Sequence, residues 1–571
     1  MFMMLTPGIL RAQNVNDVDS ILDQDPDLTV PQREVRFSPK LLPLWLSVLE
    51  RDNADLKRKV IESIVRAYRL GMPGLKETIP VIEETLSDTS QHPLVRLSAA
   101  RALVVLDARV SAPLLSKYIS TAGGNARQFV EPALARWDYE PARDVWLARL
   151  ADPGFLRRPL LLAINGIATV GDTRATATLL ELATNREQPA DIRLEAARTV
   201  SILQTSGLEE PAAALAADQS SRGLIDRLVS AYFLTRHSSE ETRSLLLKLA
   251  LDQEPAVAAV ALQRLLELDP NLIVSMSDQI ISSADANVRR LGAEALVARP
   301  SVDTIRKIGT MLDDPHPALR RYVRMSLADL STSENFDTVV REQTMNMLRT
   351  SSWRGLEQAA ILAANLDHEP AADRLIELLE FERPEVFVAA AWSLRKLAIP
   401  DTLDPLLGYA TRMTNTKLAS NRRNVRTAEQ VSQIFQMFGQ MKFAESETLL
   451  RRYIPKNSFH FEPRSAAIWS LGHLYAGSAP SDLTELFADR MTDKDPDEPE
   501  QPKVRRMSSV SLGRMKSSDA LPALQFTADD ELPGLIGYTS LWSIDQITGE
   551  GLQEPEVPPL YQRDWFLEPL E

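Results

Sequence analysis

Pro93-Leu94-Val95-Arg96-Leu97-Ser98-Ala99-Ala100-Arg101-Ala102-Leu103 is the stretch on which the fold turns. A proline or turn is followed by an aliphatic residue, a basic residue, a pair of small residues and more aliphatics. The same order returns as Asp191-Ile192-Arg193-Leu194-Glu195-Ala196-Ala197 and as Ala286-Asn287-Val288-Arg289-Arg290-Leu291-Gly292-Ala293. Further copies start at Pro317, Pro384, Pro463 and Pro502, and degenerate ones fall near Leu56, Gln128, Arg157, Ile225, Ala258, Leu356, Arg426 and Ile536. Neighbouring copies lie roughly 30 to 40 residues apart, the period of stacked helical hairpins, and give about fifteen units.

A second register accompanies the first. Trp392-Ser393, Val431-Ser432, Trp469-Ser470, Val510-Ser511 and Trp542-Ser543 recur at intervals of 39, 38, 41 and 32 residues. An apolar side chain at this depth would fill the seam between units, and the small serine would let the next helix approach. Trp392, Trp469 and Trp542 are therefore expected as structural seam residues, buried between successive units. Each unit also has a first helix with apolar residues three and four apart, as in Leu179, Leu180 and Ala183 or Leu375, Ile376, Leu378 and Leu379. Such short helices are marginal alone and persist by burying their stripes against neighbours. Strand-like alternation and Asn-Gly hairpin signals are missing, so the expected fold class is all-α, an α-α superhelix.

This pattern resembles the HEAT repeats, including the bacterial HEAT-like repeats first named from phycobilin lyases. The resemblance covers residues 41–549. It implies that an aspartate in the inter-helix turn bonds to an arginine early in the second helix; Asp314 and Arg320 fit that spacing as an inter-repeat ladder. Elsewhere the ladder is ragged, with Ala258 in the arginine position after Asp252 and Phe387 after Glu380. Uneven local stability along the array follows.

Around this solenoid, residues 1–13 look like a truncated signal-peptide remnant, apolar from Phe2 to Leu10 but without a basic start. Residues 14–40, with Pro26, Pro31 and Pro39, form an N-terminal cap or linker. Residues 550–571 are proline-rich yet carry Tyr561, Trp565, Phe566 and Leu567, and are expected to fold over the apolar face of the last unit. The chain has no cysteine, which removes disulfides, thiolate metal sites and cysteine nucleophiles. That absence and the signal-like start point to an exported or periplasmic protein, with the cytoplasm as the alternative. No segment approaches the ~18 uninterrupted apolar residues of a membrane span.

Catalytic constellations do not assemble from the sequence. None of the six histidines forms an HExxH motif or pairs with another at i, i+4. The deoxyhypusine hydroxylases resemble this fold and bind iron with four His-Glu dipeptides, whereas this chain has only His368-Glu369. His460, His473 and Glu462 could converge on a metal, although Phe459 and Phe461 suit a packed loop equally well. The acidic run 493–500 lacks the glycine and the final glutamate of a calcium loop. Gly123-Gly124 lacks the strand and lysine of a phosphate loop, and no GxSxG elbow occurs. No cofactor and no enzymatic activity are expected.

The resulting reading is a non-catalytic interaction scaffold that binds a protein partner along the solenoid. The alternative is a lyase or chaperone-like enzyme acting on a bound cofactor or protein. Net charge is −14, which disfavours nucleic acid. Against that background residues 411–456 carry nine basic side chains (Arg412, Lys417, Arg422, Arg423, Arg426, Lys442, Arg451, Arg452, Lys456) and three acidic ones. Arg422, Arg423, Arg426, Arg451 and Arg452 are the candidate partner-binding residues, for an acidic protein segment, since arginine suits bidentate carboxylate contacts. The opposing reading is a solvated basic face offset by the acidic loop at 493–500.

Overall fold

A computed structural model describes residues 18–31, 33–121, 124–152, 154, 156–420 (side chains through 416), 425–456, 459–551 and 559–569. The proposed leader at 1–13, Gly123, the Lys417 side chain, Arg422, Arg423, Pro555 and Pro558 lie outside these residues.

Where the sequence repeats, the chain forms a second helix: Pro93–Val105, Ala190–Leu203, Ala286–Ala298, Pro317–Ser331, Pro384–Leu397, Phe461–Leu474 and Pro502–Met515. Proline suits the first turn of a helix, because that backbone nitrogen has no intrahelical acceptor. Among the described residues fifteen such hairpins can be assigned, and the degenerate copies fall in second helices too. The protein is all-α. The only strands among the described residues are Val35–Arg36 and Leu560–Tyr561, a two-residue parallel pair. No described helix is long and apolar enough to cross a membrane.

The repeated arginine has a definite task. Arg96 donates through Nε to the Leu86 carbonyl (3.0 Å), Arg193 to Ala183 (3.0 Å) and Arg505 to Met491 (2.8 Å). Each closes carbonyls at the end of the preceding first helix, where backbone acceptors lack intrahelical donors and positive charge is favoured. Arg320 belongs to this set: its guanidinium donates to the main-chain carbonyls of Asp314 (2.8 Å) and Pro315 (3.2 Å). The Asp314–Arg320 pair expected from the sequence thus meets through the Asp314 carbonyl, which closes the turn. The neighbouring Asp313 reaches the next repeat instead, accepting from Ser352 Oγ (2.5 Å) and the Gly355 backbone (3.1 Å). Other repeats are joined by buried ion pairs, Arg193–Asp226, Arg227–Asp252 and Arg464–Glu500, at 2.5, 2.7 and 2.6 Å. Asp252, which lacks an arginine after it, is satisfied from the repeat before.

The chain divides into two compact units, one from residues 33–298 and 558–571, the other from 1–32 and 299–557. In the first, eight hairpins bury a continuous aliphatic core. The C-terminal tail packs on the opening helix of this unit, Leu41–Leu49: Trp45 meets Trp565 edge to face at 5.4 Å and donates to the Leu567 carbonyl at 3.3 Å. Arg66 adds a bond to the Asp564 carbonyl. The described part of the tail, residues 559–569, thus packs on the first helix of its own unit. Trp45 offers it a flat apolar wall with an unspent indole donor.

The second unit contains seven hairpins and, unexpectedly, the N-terminal segment. Its elements are named here as α1 (Ile21–Gln24), α2 (Pro384–Leu397), α3 (Val425–Gln440), α4 (Phe461–Leu474), α5 (Pro502–Met515) and α6 (Leu535–Thr548). Helices α2 to α6 are second helices of consecutive repeats, each packed on the next. The recurring serine explains how closely they pack. Ser393, Ser470, Ser511 and Ser543 are fully buried and donate to carbonyls of a preceding second helix: Ala360 (2.8 Å), Phe435 (2.5 Å), Ile468 (2.9 Å) and Ser509 (2.8 Å). Opposite three of them stand glycines. A Cβ on Gly439, Gly472 or Gly513 would lie 2.7 to 2.8 Å from the Cα of Ser470, Ser511 or Ser543, a distance real side chains do not adopt.

Candidate peptide-binding face

Second helices present one face to the core and leave the other to face outward or to hold something. On α2 to α5 that other face carries Trp392, Arg395 and Lys396, then Gln433 and Gln436, then Trp469 and His473, then Lys503, Arg506 and Arg514. Spacings of three and four residues align each group along one side of its helix. All of these groups converge on residues 19–26, Asp-Ser-Ile-Leu-Asp-Gln-Asp-Pro.

Contacts run from one end of the segment to the other. The Trp392 indole donates to Asp19 Oδ1 at 2.6 Å, and Arg395 donates to the same atom at 2.7 Å and to the Asp19 carbonyl at 3.1 Å. Gln433 Nε2 also donates to that carbonyl, at 2.9 Å. The backbone N–H of Ile21 donates to Gln436 Oε1 at 2.9 Å. Leu22 is fully buried within the apolar cluster of this unit. Arg506 then donates to three main-chain carbonyls, of Leu22 (2.6 Å), Asp25 (3.2 Å) and Pro26 (3.2 Å). Lys503 pairs with Asp23 at 2.9 Å and with Glu462 at 3.0 Å. Asp25 accepts from Trp469 Nε1 at 2.5 Å, pairs with Arg514, and lies 3.7 Å from His473 Nε2.

Electrostatics favour ionised carboxylates in these pockets. Burial works to raise the Asp25 carboxyl, but the nearby His473 ring, hydrogen bonds from Arg514 and Trp469 and the Arg514 charge outweigh it and hold the group well below the ordinary carboxylate range. Asp19 is lowered in the same way: burial is opposed by the Trp392 hydrogen bond and the Arg395 and Lys396 charges. His473 is pushed down by burial, only partly offset by Asp25. The face can thus bind two carboxylates, a string of peptide carbonyls and one aliphatic side chain. It presents no nucleophile paired with a base.

The tryptophans face two ways. Trp392 and Trp469 are buried, at 4% and 2% exposure, but what covers them is the acidic segment, and their indole nitrogens point at its carboxylates. Their indole N–H groups form a row along residues 19–25. Trp542 is only partly buried and lies under Arg514, whose guanidinium sits 5.9 Å from its ring centre. Trp469 also fills the seam, its Cζ3 lying 2.7 Å from where a Cβ on Gly439 would stand, beside Ser470, Ser511, Ser543 and the facing glycines.

The basic stretch 411–456 behaves differently from its charge count. Arg451 is held by Glu447 and by Asp482, both at 2.7 Å, and Arg452 donates to Asn415 at 3.0 Å. Arg426 pairs with Glu429 at 3.2 Å, Arg412 with Glu380 at 3.0 Å and Lys456 with Asp493 at 3.1 Å. Arg422 and Arg423 fall outside the described residues. The cations that meet an acidic segment are Arg395, Lys396, Lys503, Arg506 and Arg514, none of which the sequence reading singled out. A usable signal was present, since Arg395, His473 and Arg514 each follow the Trp/Val-Ser register by three or four residues. His460 and His473 do not converge: His460 caps the start of α4, accepting from the Glu462 N–H at 3.3 Å, and His473 lies thirteen residues on, beneath Asp25.

Neither a protein-family model nor a curated protein matches the sequence. Solved structures do. Kap95p, from a complex in which its binding induces the switch loops of RanGDP to adopt the GTP-bound conformation, superposes with a TM-score of 0.51 at 10% identity, over 90% of this chain and 72% of its own. The fold is a HEAT-repeat solenoid. Yeast importin-beta (Kap95p) gives a TM-score of 0.47 at 11% identity, covering 90% of this chain and 73% of its own. At such identities the likeness concerns the HEAT fold alone, and residue roles rest on the contacts above.

Proposed function

We propose that this HEAT-repeat protein is a non-catalytic interaction scaffold that binds a protein partner along the outward face of α2 to α5. One observation carries the reading. Side chains from four consecutive second helices converge on a single short segment, addressing its main chain through Arg395, Gln433, Gln436 and Arg506 and its carboxylates through Arg395 and Trp469. Main-chain recognition of that kind suits a polypeptide and gives no place for a small substrate to react. The fold is compatible with it, since Kap95p binds a protein, RanGDP.

The test is affinity capture from the native cell with quantitative mass spectrometry, comparing three baits. The unaltered chain and Arg451→Glu, which lies off this face, should retain the same partner. Arg395→Glu combined with Arg506→Glu should lose it while keeping the helical circular-dichroism signal. Equal capture by all three baits would refute the proposal, as would a metal or chromophore bound to the purified protein at one equivalent.

A further inference from the structure

The segment on this face contributes only one fully buried large side chain, Leu22, with Asp23 and Gln24 exposed. It also leaves groups of the face unused. Arg395 Nε and Gln433 Oε1 are buried and have no hydrogen-bond partner among the described residues. A ligand evolved as a permanent part of the core would be expected to satisfy them, because a buried polar atom without a partner is costly. Short segments held mainly by polar contacts belong to the low-stability end of a structure and open first.

Resting on the scaffold reading above, we propose that the face of α2 to α5 is a receptor for an acidic peptide of another protein with the pattern Asp-x-x-Leu-x-x-Asp, and that residues 19–26 are an intramolecular stand-in which this peptide displaces. The spacing follows from the pockets. Trp392 and Arg395 take the first carboxylate, the apolar cluster takes the leucine three residues on, and Trp469, His473 and Arg514 take the second carboxylate three residues after that. Between them Arg506 reads three carbonyls and Gln436 one N–H, so the peptide must pass with a single helical turn, as α1 does. Charge agrees: Arg395, Lys396, Lys503, Arg506 and Arg514 line the path in a protein of net charge −14. Because the stand-in is tethered, its high effective concentration keeps weak ligands out. A partner whose peptide also engages Arg395 Nε and Gln433 Oε1 gains an advantage the tethered segment lacks.

The experiment uses a fluorescein-labelled peptide of residues 18–28 and fluorescence anisotropy on the full chain. The unaltered protein should bind it weakly. A chain carrying Leu22→Ala and Asp25→Ala, which weaken only the stand-in, should bind at least tenfold tighter. Arg506→Glu added to that chain should abolish binding, and a peptide with both outer aspartates changed to asparagine should fail to compete. Should Arg506→Glu disturb folding by circular dichroism, Trp392→Phe, which keeps an aromatic ring and loses the indole N–H, replaces it and should weaken binding severalfold. No binding to the stand-in variant, equal binding to both chains, or indifference to the face substitutions would overturn the proposal. Equal competition by a short single-stranded DNA would also overturn it, since charge alone would then be read. If peptide binding fails but a captured partner still needs Arg395 and Arg506, the acidic-peptide assignment falls and the scaffold reading stands.

Discussion

Replacing Trp469 by alanine tests the face and the fold together, and the two losses can be separated. The side chain is 2% exposed, and its ring edge reaches the spot where Gly439 could not carry a Cβ, with Cζ3 at 2.7 Å. Removing it leaves a cavity between α3 and α4 that these helices, fixed by the Ser470 bond to Phe435, have little freedom to close. Deleting a buried aromatic of this size costs roughly 3–5 kcal/mol. Trp469→Phe keeps most of the volume and loses the 2.5 Å bond to Asp25. A hydrogen bond to a charged acceptor contributes about 1.5–3 kcal/mol, and Arg514 remains on Asp25 to retain part of it. Hydrogen–deuterium exchange is the suitable assay, because a repeat array opens locally and a single unfolding free energy is ill-defined. Trp469→Ala should cut protection in Val425–Gln440 and Phe461–Leu474 by about two to three and a half powers of ten where exchange proceeds by local opening. Helix Pro93–Val105 should be unaffected. Trp469→Phe should release residues 19–26 and leave both helices protected. Unchanged protection in Trp469→Ala, or protected 19–26 amides in both variants, would refute the reasoning.

Three further outcomes are expected. Gly513→Ala should destabilise α5 and α6 by about 1–3 kcal/mol, because the new methyl meets the Ser543 backbone, which cannot yield as a flexible side chain could; Gly408→Ala, with nothing within 4 Å, should gain up to ~1 kcal/mol from helix propensity, and chemical denaturation compares them. Arg464→Ala should cost roughly 1–3 kcal/mol by leaving the buried Glu500 carboxylate (4% and 1% side-chain exposure in the pair) to Arg490 alone, at 3.3 Å, and adding Glu500→Ala should restore part of it in a thermal or denaturant melt. Docking of residues 19–26 should depend on pH with a definite sign: Asp19 and Asp25 are depressed when docked, so their contribution is complete above the free value near 4 and is lost progressively as pH falls toward the docked values. His473, also depressed, disfavours docking once pH falls below about 6.5, where the released ring takes up a proton first; exchange of the 19–26 amides measured from pH 7 to pH 3 checks both limbs, and Asp25→Asn should flatten the lower one.

The repeat architecture was legible because its causes are local and recur. A proline at the start of a helix, an arginine ten or so residues beyond the carbonyl it closes, and a serine at each close crossing all lie within one period. The link to the next repeat is local too, Asp313 reaching Ser352 and Gly355. The face was not legible because its two sides are far apart in the chain. Asp19 and Trp392 are separated by 373 residues, Asp25 and Arg514 by 489, and a segment of eight residues has no periodicity to announce a partner. Trp45 and Leu567, 522 residues apart, show the same limit at the other terminus. Charge counting along the chain leaves out pairing between repeats for a related reason. Residues 411–456 are basic as a string, yet Arg451 finds Asp482 and Lys456 finds Asp493 one repeat later, so part of that charge is paired across the stack. Net charge along a sequence says little about which cations a solenoid leaves available.

The central claim is that the outward face of α2 to α5 is where a partner lands, and crosslinking mass spectrometry of the captured complex tests it most directly. A photo-crosslinking amino acid at Gln433 or Gln436, in the chain whose stand-in is weakened by Leu22→Ala and Asp25→Ala, should form covalent adducts with an acidic stretch of the partner. The same probe in the unaltered chain without partner should crosslink to residues 18–28. Partner adducts absent from this face, and found instead on first helices or on residues 33–298, would contradict the account.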